Sequence, residues 1–385
     1  MIAVIADDLT GAAELGGIGL RYNLAVEIAT SVNTASKADL LIIATDTRSM
    51  PKELALKEME LVTKKLKEIR TDTIFKKVDS VLRGHVISEI KVHLQKLGLE
   101  KALLVPANPA FGRTINNGRY FINGKPIHLT SFAHDPEFAI TSSRVQHMLR
   151  VDEKEVHLRG VTDPLPDLGI SVGECTTNED LLNWASRADE NTLLAGGAGF
   201  FIALLESLGL NEELKTDIQP DELIYPALFV CGSTHDESRQ SIKKIKDSGG
   251  PVSYMPCDII KAESPVDSLF ELWADEIVSL LNSHKKAIIA IDEYATKGIT
   301  ITAADLRDKK AKVVEMLFRK TAIKELLVEG GSTAAAIINR LNFNSFSPIK
   351  ELGPGVIKMK VDTTDDLFLT LKPGSYKWPS FIWNF

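Results

Sequence analysis

Short apolar runs that stop at a carboxylate or a glycine turn recur along this chain, and that alternation restricts its fold more than any other feature. The first run, Ile2-Ala3-Val4-Ile5-Ala6, ends in Asp7-Asp8 and turns through Leu9-Thr10-Gly11 into Ala12-Ala13-Glu14-Leu15. Uninterrupted apolar runs of this length suit strands buried on both faces of a parallel sheet. Further strands are predicted at 40–45, 73–78 and 102–105. A helix is predicted between 52 and 69, where Ala55, Met59, Val62, Leu66 and Ile69 recur at helical spacing. Strands alternating with helices predict an α/β fold. Thr10 is the expected N-cap of the first helix; in the plainer alternative Asp8 caps it and Asp7 is solvated.

Each early strand ends in a polar cluster: Asp7-Asp8, Asp46-Thr47-Arg48, Asp79-Ser80 and Asn108. Open α/β sheets bind ligands outside the carboxyl ends of their strands, so four such clusters are what one composite site requires, although solvated loops are polar too. The third cluster belongs to Lys76-Lys77-Val78-Asp79-Ser80-Val81-Leu82-Arg83-Gly84. The planar fork of Arg83 matches a carboxylate or a phosphate, and Asp79 can accept from a hydroxyl. The same two residues would serve equally as an internal surface pair. His85 follows directly.

Residues 110–150 read as loop, and Leu193-Leu194-Ala195-Gly196-Gly197 as one more strand entering a glycine turn. A polar, acidic stretch at 211–222 marks a domain boundary, giving domains 1–218 and 219–385. The alternation then restarts. Ala227–Cys231 is a strand entering Gly232-Ser233-Thr234, with a helix from Glu237 to Asp247; Ala287–Ile291 is a strand ending at Asp292. Leu326-Leu327-Val328-Glu329 enters Gly330-Gly331-Ser332-Thr333, followed by Ala334-Ala335-Ala336. Glycines at a helix start admit an anion to the backbone N–H groups, and the hydroxyls add donors; a plain capped turn has the same composition. Gly353-Pro354-Gly355 and Lys372-Pro373-Gly374 add approachable backbone or ordinary turns.

Several classes are excluded. No GxxxxGK[ST] loop is present, and Gly196-Gly197-Ala198-Gly199 only approximates a dinucleotide fingerprint, which leaves hydride transfer without support. A length of 385 residues exceeds one ordinary core, and a formal net charge of −7 argues against nucleic-acid binding. No apolar stretch approaches the roughly 20 residues that span a bilayer, so no membrane association is expected. The start lacks the pattern of a signal peptide, and Cys175, Cys231 and Cys257 form neither a disulfide framework nor a CxxC site. A cytoplasmic protein is expected. The histidines lack metal-ligand spacing, so no protein-bound metal is expected, and Cys231 reads as a small core residue.

In combination these motifs resemble the four-carbon acid sugar kinases. Ala6-Asp7-Asp8-Leu9-Thr10-Gly11-Ala12 resembles that family's ADD-x-TGA signature, and Lys77-Val78-Asp79-Ser80-Val81-Leu82-Arg83-Gly84 its K-x-DS-x-LRG signature. Pro106-Ala107-Asn108-Pro109-Ala110-Phe111-Gly112-Arg113 approximates its PA-x-P-x-x-GR block. Cys231-Gly232-Ser233, Gly330-Gly331-Ser332-Thr333-Ala334 and Gly353-Pro354-Gly355-Val356 are similar to its SGS, GGDTA and PGV segments. Order and spacing agree over nearly the whole chain. Two departures stand out: Ser332 replaces an aspartate, and Leu371-Lys372-Pro373-Gly374-Ser375-Tyr376 replaces a TKAGGFG segment.

The resemblance implies two domains, each a mostly parallel sheet flanked by helices, with the active site in the interdomain cleft. It implies an ATP-dependent kinase, with Mg²⁺ held mainly by phosphates and water, that phosphorylates the terminal hydroxyl of threonate, erythronate or an oxo-tetronate. Asp8, or else Asp79, is the expected catalytic base. Arg83 and Lys77 are expected on the substrate carboxylate, with Asp7 and Ser80 beside them. Ser233, Gly330, Gly331, Ser332, Thr333 and Gly374 are expected on ATP. The rival reading from another class is a non-catalytic sugar-acid or nucleotide sensor, separated by acid-dependent ATP consumption. A haloacid-dehalogenase-type phosphatase fails because its nucleophile position is Ala6. No oligomeric state follows.

Overall fold

The apolar runs become strands almost where their composition places them. The computed structural model describes residues 1–135, 137–213, 223–232, 236–264, 266–292, 294–374 and 376–385. The chain divides into two compact units, Met1–Leu214 and Lys215–Phe385. The boundary expected at 218/219 lies outside the described residues.

The first unit begins with β1 (Ile2–Ala6), α1 (Leu9–Arg21), β2 (Val26–Ala29), β3 (Leu40–Ala44), α2 (Lys52–Leu66), β4 (Thr73–Lys77), α3 (Val86–Leu97) and β5 (Lys101–Val105). Residues 110–150, expected as loop, instead hold the antiparallel strands β6 (Arg113–Asn116), β7 (Arg119–Ile122) and β8 (Lys125–Pro126), then the short α4 (Val145–Leu149). These strands are too short and too polar to carry an alternating pattern. The unit closes with β9 (Val156–Arg159), β10 (Gly169–Gly173), α5 (Asn178–Ser186), β11 (Thr192–Gly196) and α6 (Ala198–Ser207). Its main strands lie in the order β2-β3-β1-β4-β11-β5-β10-β9, and every pairing among them is parallel.

Both β1 and β3 are buried along their whole length, which explains why neither alternates in polarity. On one face, Ala3, Ile5, Leu41 and Ile43 pack against Met59, Val62 and Leu66 of α2, three of the residues whose spacing predicts that helix. Each of these side chains apart from that of Ala3 contributes about 1.5–3 kcal/mol through burial.

In the second unit β12 (Ala227–Cys231), α7 (Asp236–Asp247), β13 (Val252–Tyr254), α8 (Cys257–Lys261), α9 (Asp267–His284), β14 (Lys286–Ala290), α10 (Ala303–Lys320), β15 (Glu325–Glu329) and α11 (Gly331–Leu341) continue the alternation. Thr302 caps α10 reciprocally: its hydroxyl accepts from Asp305 N–H, and the Asp305 carboxylate accepts from Thr302 N–H, each at 3.1 Å. Then β16 (Ser345–Gly353), β17 (Val356–Val361) and β18 (Phe368–Lys372) follow with no helix between them. The order is β13-β14-β12-β15-β18-β17-β16. Pairing is parallel through β18, and β17 runs antiparallel to both of its neighbours. Beyond β18, Trp378, Trp383 and Phe385 surround Phe229 of β12 edge-on, filling a sheet face with aromatic rings.

Candidate active site

Ala6 at the end of β1 pairs with Ala44 of β3 on one side and with Lys77 of β4 on the other. The polar clusters after these three parallel strands therefore emerge side by side. Asp8, not the expected Thr10, is the N-cap of α1: its Oδ1 accepts from Gly11 N at 2.9 Å. Thr10 lies inside the first turn and donates its hydroxyl to Asp8 Oδ2 at 2.5 Å. Glycine at position 11 is a matter of space. A Cβ there would stand 2.6 Å from Asp8 Oδ1 and 3.0 Å from Lys77 Nζ.

Asp7 is 3% exposed, so the alternative in which it is solvated fails. Its partner is Arg48, on the turn after β3, whose Nε and Nη2 donate to the two Asp7 oxygens at 2.9 Å each. Arg48 Nη1 donates to Asp8 Oδ2 at 2.9 Å and stands 3.7 Å from Asp79 Oδ1. One guanidinium thus bridges the ends of three strands. Asp79 in turn holds Arg83, which donates from Nε at 2.8 Å and from Nη2 at 2.9 Å, a bidentate pair of a buried aspartate and a half-buried arginine. Arg83 Nη1 donates to Asp135 Oδ2 at 2.9 Å.

The carboxylates are tuned apart. Burial raises Asp7 above the usual aspartate range, outweighing Arg48, and the adjacent Asp8 charge adds to the rise. Burial also opposes the Asp8 charge, but Arg48, Lys77 and the bonds from Thr10 and Gly11 outweigh it and lower Asp8. Asp79 is lowered much further, because Arg83 and Arg48 overcome its burial.

Lys77 Nζ lies over the Gly11 turn, donating to Val78 O at 3.0 Å, with Glu14 Oε2 3.9 Å away. Lys76 points to the opposite face of the strand, where Glu89 neutralises it at 2.6 Å. Ser80 is gripped twice: Arg113 Nη1 donates to its hydroxyl, and Tyr120 donates to its carbonyl at 2.6 Å. His85 turns aside to the Met50 carbonyl at 2.8 Å. The structure thus gathers Asp7, Asp8, Lys77, Asp79, Ser80 and Arg83 at one set of strand ends. It adds Arg48, Asp135, Arg113 and Tyr120, which sequence reasoning did not select. Arg48 stood in a strand-end cluster and Arg113 in the family-like block, so both carried a signal.

In the second unit Cys231 pairs with Glu329 across β12 and β15, so the glycine turns that follow are neighbours. A Cβ on Gly232 would stand 2.1 Å from Thr333 Oγ1. Gly330 adopts φ 97°, a conformation reserved for glycine, and donates its N–H to Lys372 O at 2.9 Å. It offers α11 no side-chain cap, so the first N–H groups of the helix, at Gly331, Ser332 and Thr333, have no carbonyl partner within it. Gly374 lies two residues beyond β18. Ser233 lies outside the described residues. Beneath these turns Glu329, fully buried, accepts from Ser238 Oγ at 3.0 Å and pairs with Lys372 at 3.4 Å. Among the described residues no group of three or more His, Cys, Asp or Glu is arranged to hold a metal ion. Nor is any described helix long and apolar enough to cross a membrane.

Two α/β units, one ending its strands in carboxylates and arginines and the other in glycine turns, make up the protein. Residues 2–204 match the sugar-binding N-terminal domain, and residues 228–376 match the nucleotide-binding C-terminal domain. The chain belongs to the four-carbon acid sugar kinase family. It is 25% identical to a D-threonate kinase of Salmonella typhimurium over 91% of this chain and 89% of that one. It is 22% identical to a 3-oxo-tetronate kinase of Haemophilus influenzae over 98% and 97%. Crystal structures of a Haemophilus influenzae protein (TM-score 0.70, 20% identity, 99% and 98% covered) and of a Salmonella typhimurium LT2 protein (TM-score 0.76, 18% identity, 99% and 97% covered) share the fold.

Proposed function

We propose that the protein transfers a phosphoryl group from ATP to the terminal hydroxyl of a four-carbon sugar acid, with threonate, erythronate and oxo-tetronates as the candidate acceptors. The observation that carries this reading is the constellation of buried Asp7, Asp8, Lys77 and Asp79 with half-buried Arg48 and Arg83 in the unit that matches a sugar-binding domain. Kinases for threonate and 3-oxo-tetronate among the relatives support the substrate class.

Roles follow from which lone pairs and N–H groups are already spent. Bonds from Gly11, Thr10 and Arg48 fill the acceptor sites of Asp8 and hold it ionised, which suits it to fixing the geometry of the turn. Asp7 accepts only the Arg48 pair through its side chain, keeps lone pairs in reserve, and has the higher proton affinity of the two. We therefore give the substrate hydroxyl proton to Asp7, in place of the Asp8 or Asp79 expected from the sequence. Asp79, with both oxygens on Arg83, positions that arginine. Arg83 has committed three of its five side-chain N–H groups; the remaining two, with Lys77, take the substrate carboxylate.

On the nucleotide side, the N–H groups at the start of α11, the turns at Gly232-Ser233 and Gly330, and the backbone at Gly374 would hold phosphate oxygens. The Gly232 approach to Thr333, which a Cβ would block, fits an anion laid against bare backbone. Ser332 would add a hydroxyl donor at the same helix start. ATP supplies the phosphoryl group, and Mg²⁺ supplies charge neutralisation. Mg²⁺ would be held mainly by phosphate oxygens and water.

The test is ADP release from ATP and Mg²⁺ across a panel of four-carbon sugar acids. Turnover with one member and not its stereoisomers establishes the reaction and the acceptor together. Silence across the panel with ADP binding intact removes the substrate class.

A further inference from the structure

A cavity of about 330 Å³ opens in the second unit at the carboxyl ends of β12, β13 and β14. Its wall includes Cys231, Gly232, Arg239, Lys243, Asp292 and Lys310. Gly232 is shared. One side of it meets the cavity, and its Cα faces Thr333 at the start of α11, so a ligand lying over Gly232 reaches both.

Four cations line this space, and two of them are spent. Lys243 pairs with Asp247 at 2.8 Å, and Lys246 donates to Val252 O at 2.8 Å. Among the described residues neither Arg239 nor Lys310 has a hydrogen bond or ion pair. Lys310 is only 2% exposed, although it sits in the middle of α10. Glu329, whose charge reaches it, already holds Lys372 and Ser238. Asp292 accepts from Tyr294 N at 2.9 Å. An ammonium stripped of water and left without a partner costs folding free energy, so its retention at a cavity wall calls for an anion that arrives later.

We propose that this cavity receives the phosphate chain of the nucleotide, with Lys310 and Arg239 as its side-chain ligands. The inference rests on the nucleotide reading above and extends it from the backbone turns to two named cations. Burial brings the Lys310 ammonium down to about 8, the condition of a charge that lacks its counterion. A phosphate at the wall would reverse that shift.

The test is calorimetric titration of the full chain with ADP, together with melting of the ligand-free protein, for the native protein, K310M and R239Q. K310M is expected to lose at least tenfold in ADP affinity while its ligand-free melting temperature holds or rises, because an unpaired buried charge has been removed. A lysine with a purely structural role would lower the melting temperature instead. R239Q alters a half-buried helix residue, keeps the fold, and is expected to lose severalfold in ADP affinity. If K310M melts early, R239Q decides, and native ADP affinity in R239Q then overturns the assignment. Native ADP affinity in a well-folded K310M overturns it as well, with the nucleotide reading left standing. A native protein that binds no ADP overturns the nucleotide reading, and this inference with it.

Discussion

Arg48 offers the sharpest test of how the first unit is held together. Its side chain is 13% exposed, and it donates to Asp7 and Asp8 at 2.9 Å through three N–H groups. Arg48→Met keeps much of the length and removes the charge. Asp79 still has Arg83, but Asp7 and Asp8 are left as adjacent buried carboxylates without their guanidinium. Breaking a buried pair in this way costs about 3–5 kcal/mol, equivalent to a summed rise of about two to four pKa units over the two acids. For a unit of this size that is a fall on the order of 10 °C in its melting temperature.

The sign of the pH dependence follows from the direction of those shifts. In the variant both folded-state pKa values lie above the unfolded value, so stability is retained below the unfolded pKa and lost as pH rises through the folded one. In the native protein Asp8 is lowered, so its contribution is present above the unfolded pKa and lost as pH falls. The deficit of the variant must therefore widen from pH 5 to pH 8. Scanning calorimetry of both proteins at the two pH values reads it directly, following the transition of the first unit. A deficit below about 1 kcal/mol at pH 8, the size of an exposed pair, would refute the reasoning, as would equal deficits at the two pH values.

Three further outcomes are expected. Asp7→Asn should lower kcat by about 10²–10⁴-fold with ADP affinity unchanged, whereas Asp8→Ala should remove the α1 cap, at a cost of at least about 1 kcal/mol in urea unfolding; retention of most of the native kcat in Asp7→Asn would return the proton to another group. Gly11→Ala drives a Cβ to 2.6 Å from Asp8 Oδ1 and should reduce turnover while leaving ADP binding as it is, measured by calorimetry beside the kinetic assay. Gly232→Ala meets Thr333 Oγ1 at 2.1 Å and should do the reverse, weakening ADP binding at least tenfold while sugar-acid binding persists.

What was legible in the sequence was what short-range pattern encodes. Asp7, Asp8, Asp79 and Arg83 were found because each follows an apolar strand, and the parallel register of β1, β3 and β4 then made neighbours of residues more than 70 positions apart. Asp135 was missed because it reaches Arg83 from the loop beyond β8, over a separation that no local period records. The strands β16, β17 and β18 were missed for a related reason, since antiparallel neighbours need no helix between them and so leave no alternation to read. Lys309 and Lys310 are the most instructive case. In Asp308-Lys309-Lys310-Ala311-Lys312 they look like the solvated face of a helix, yet both are more than nine-tenths buried. Lys309 donates to the carbonyl of Ala262 at 2.9 Å, while Lys310 ends at the wall of a cavity. Residue type fixes the cost of burying an ammonium, but only the tertiary packing decides whether a carbonyl, a carboxylate or an arriving phosphate offsets it.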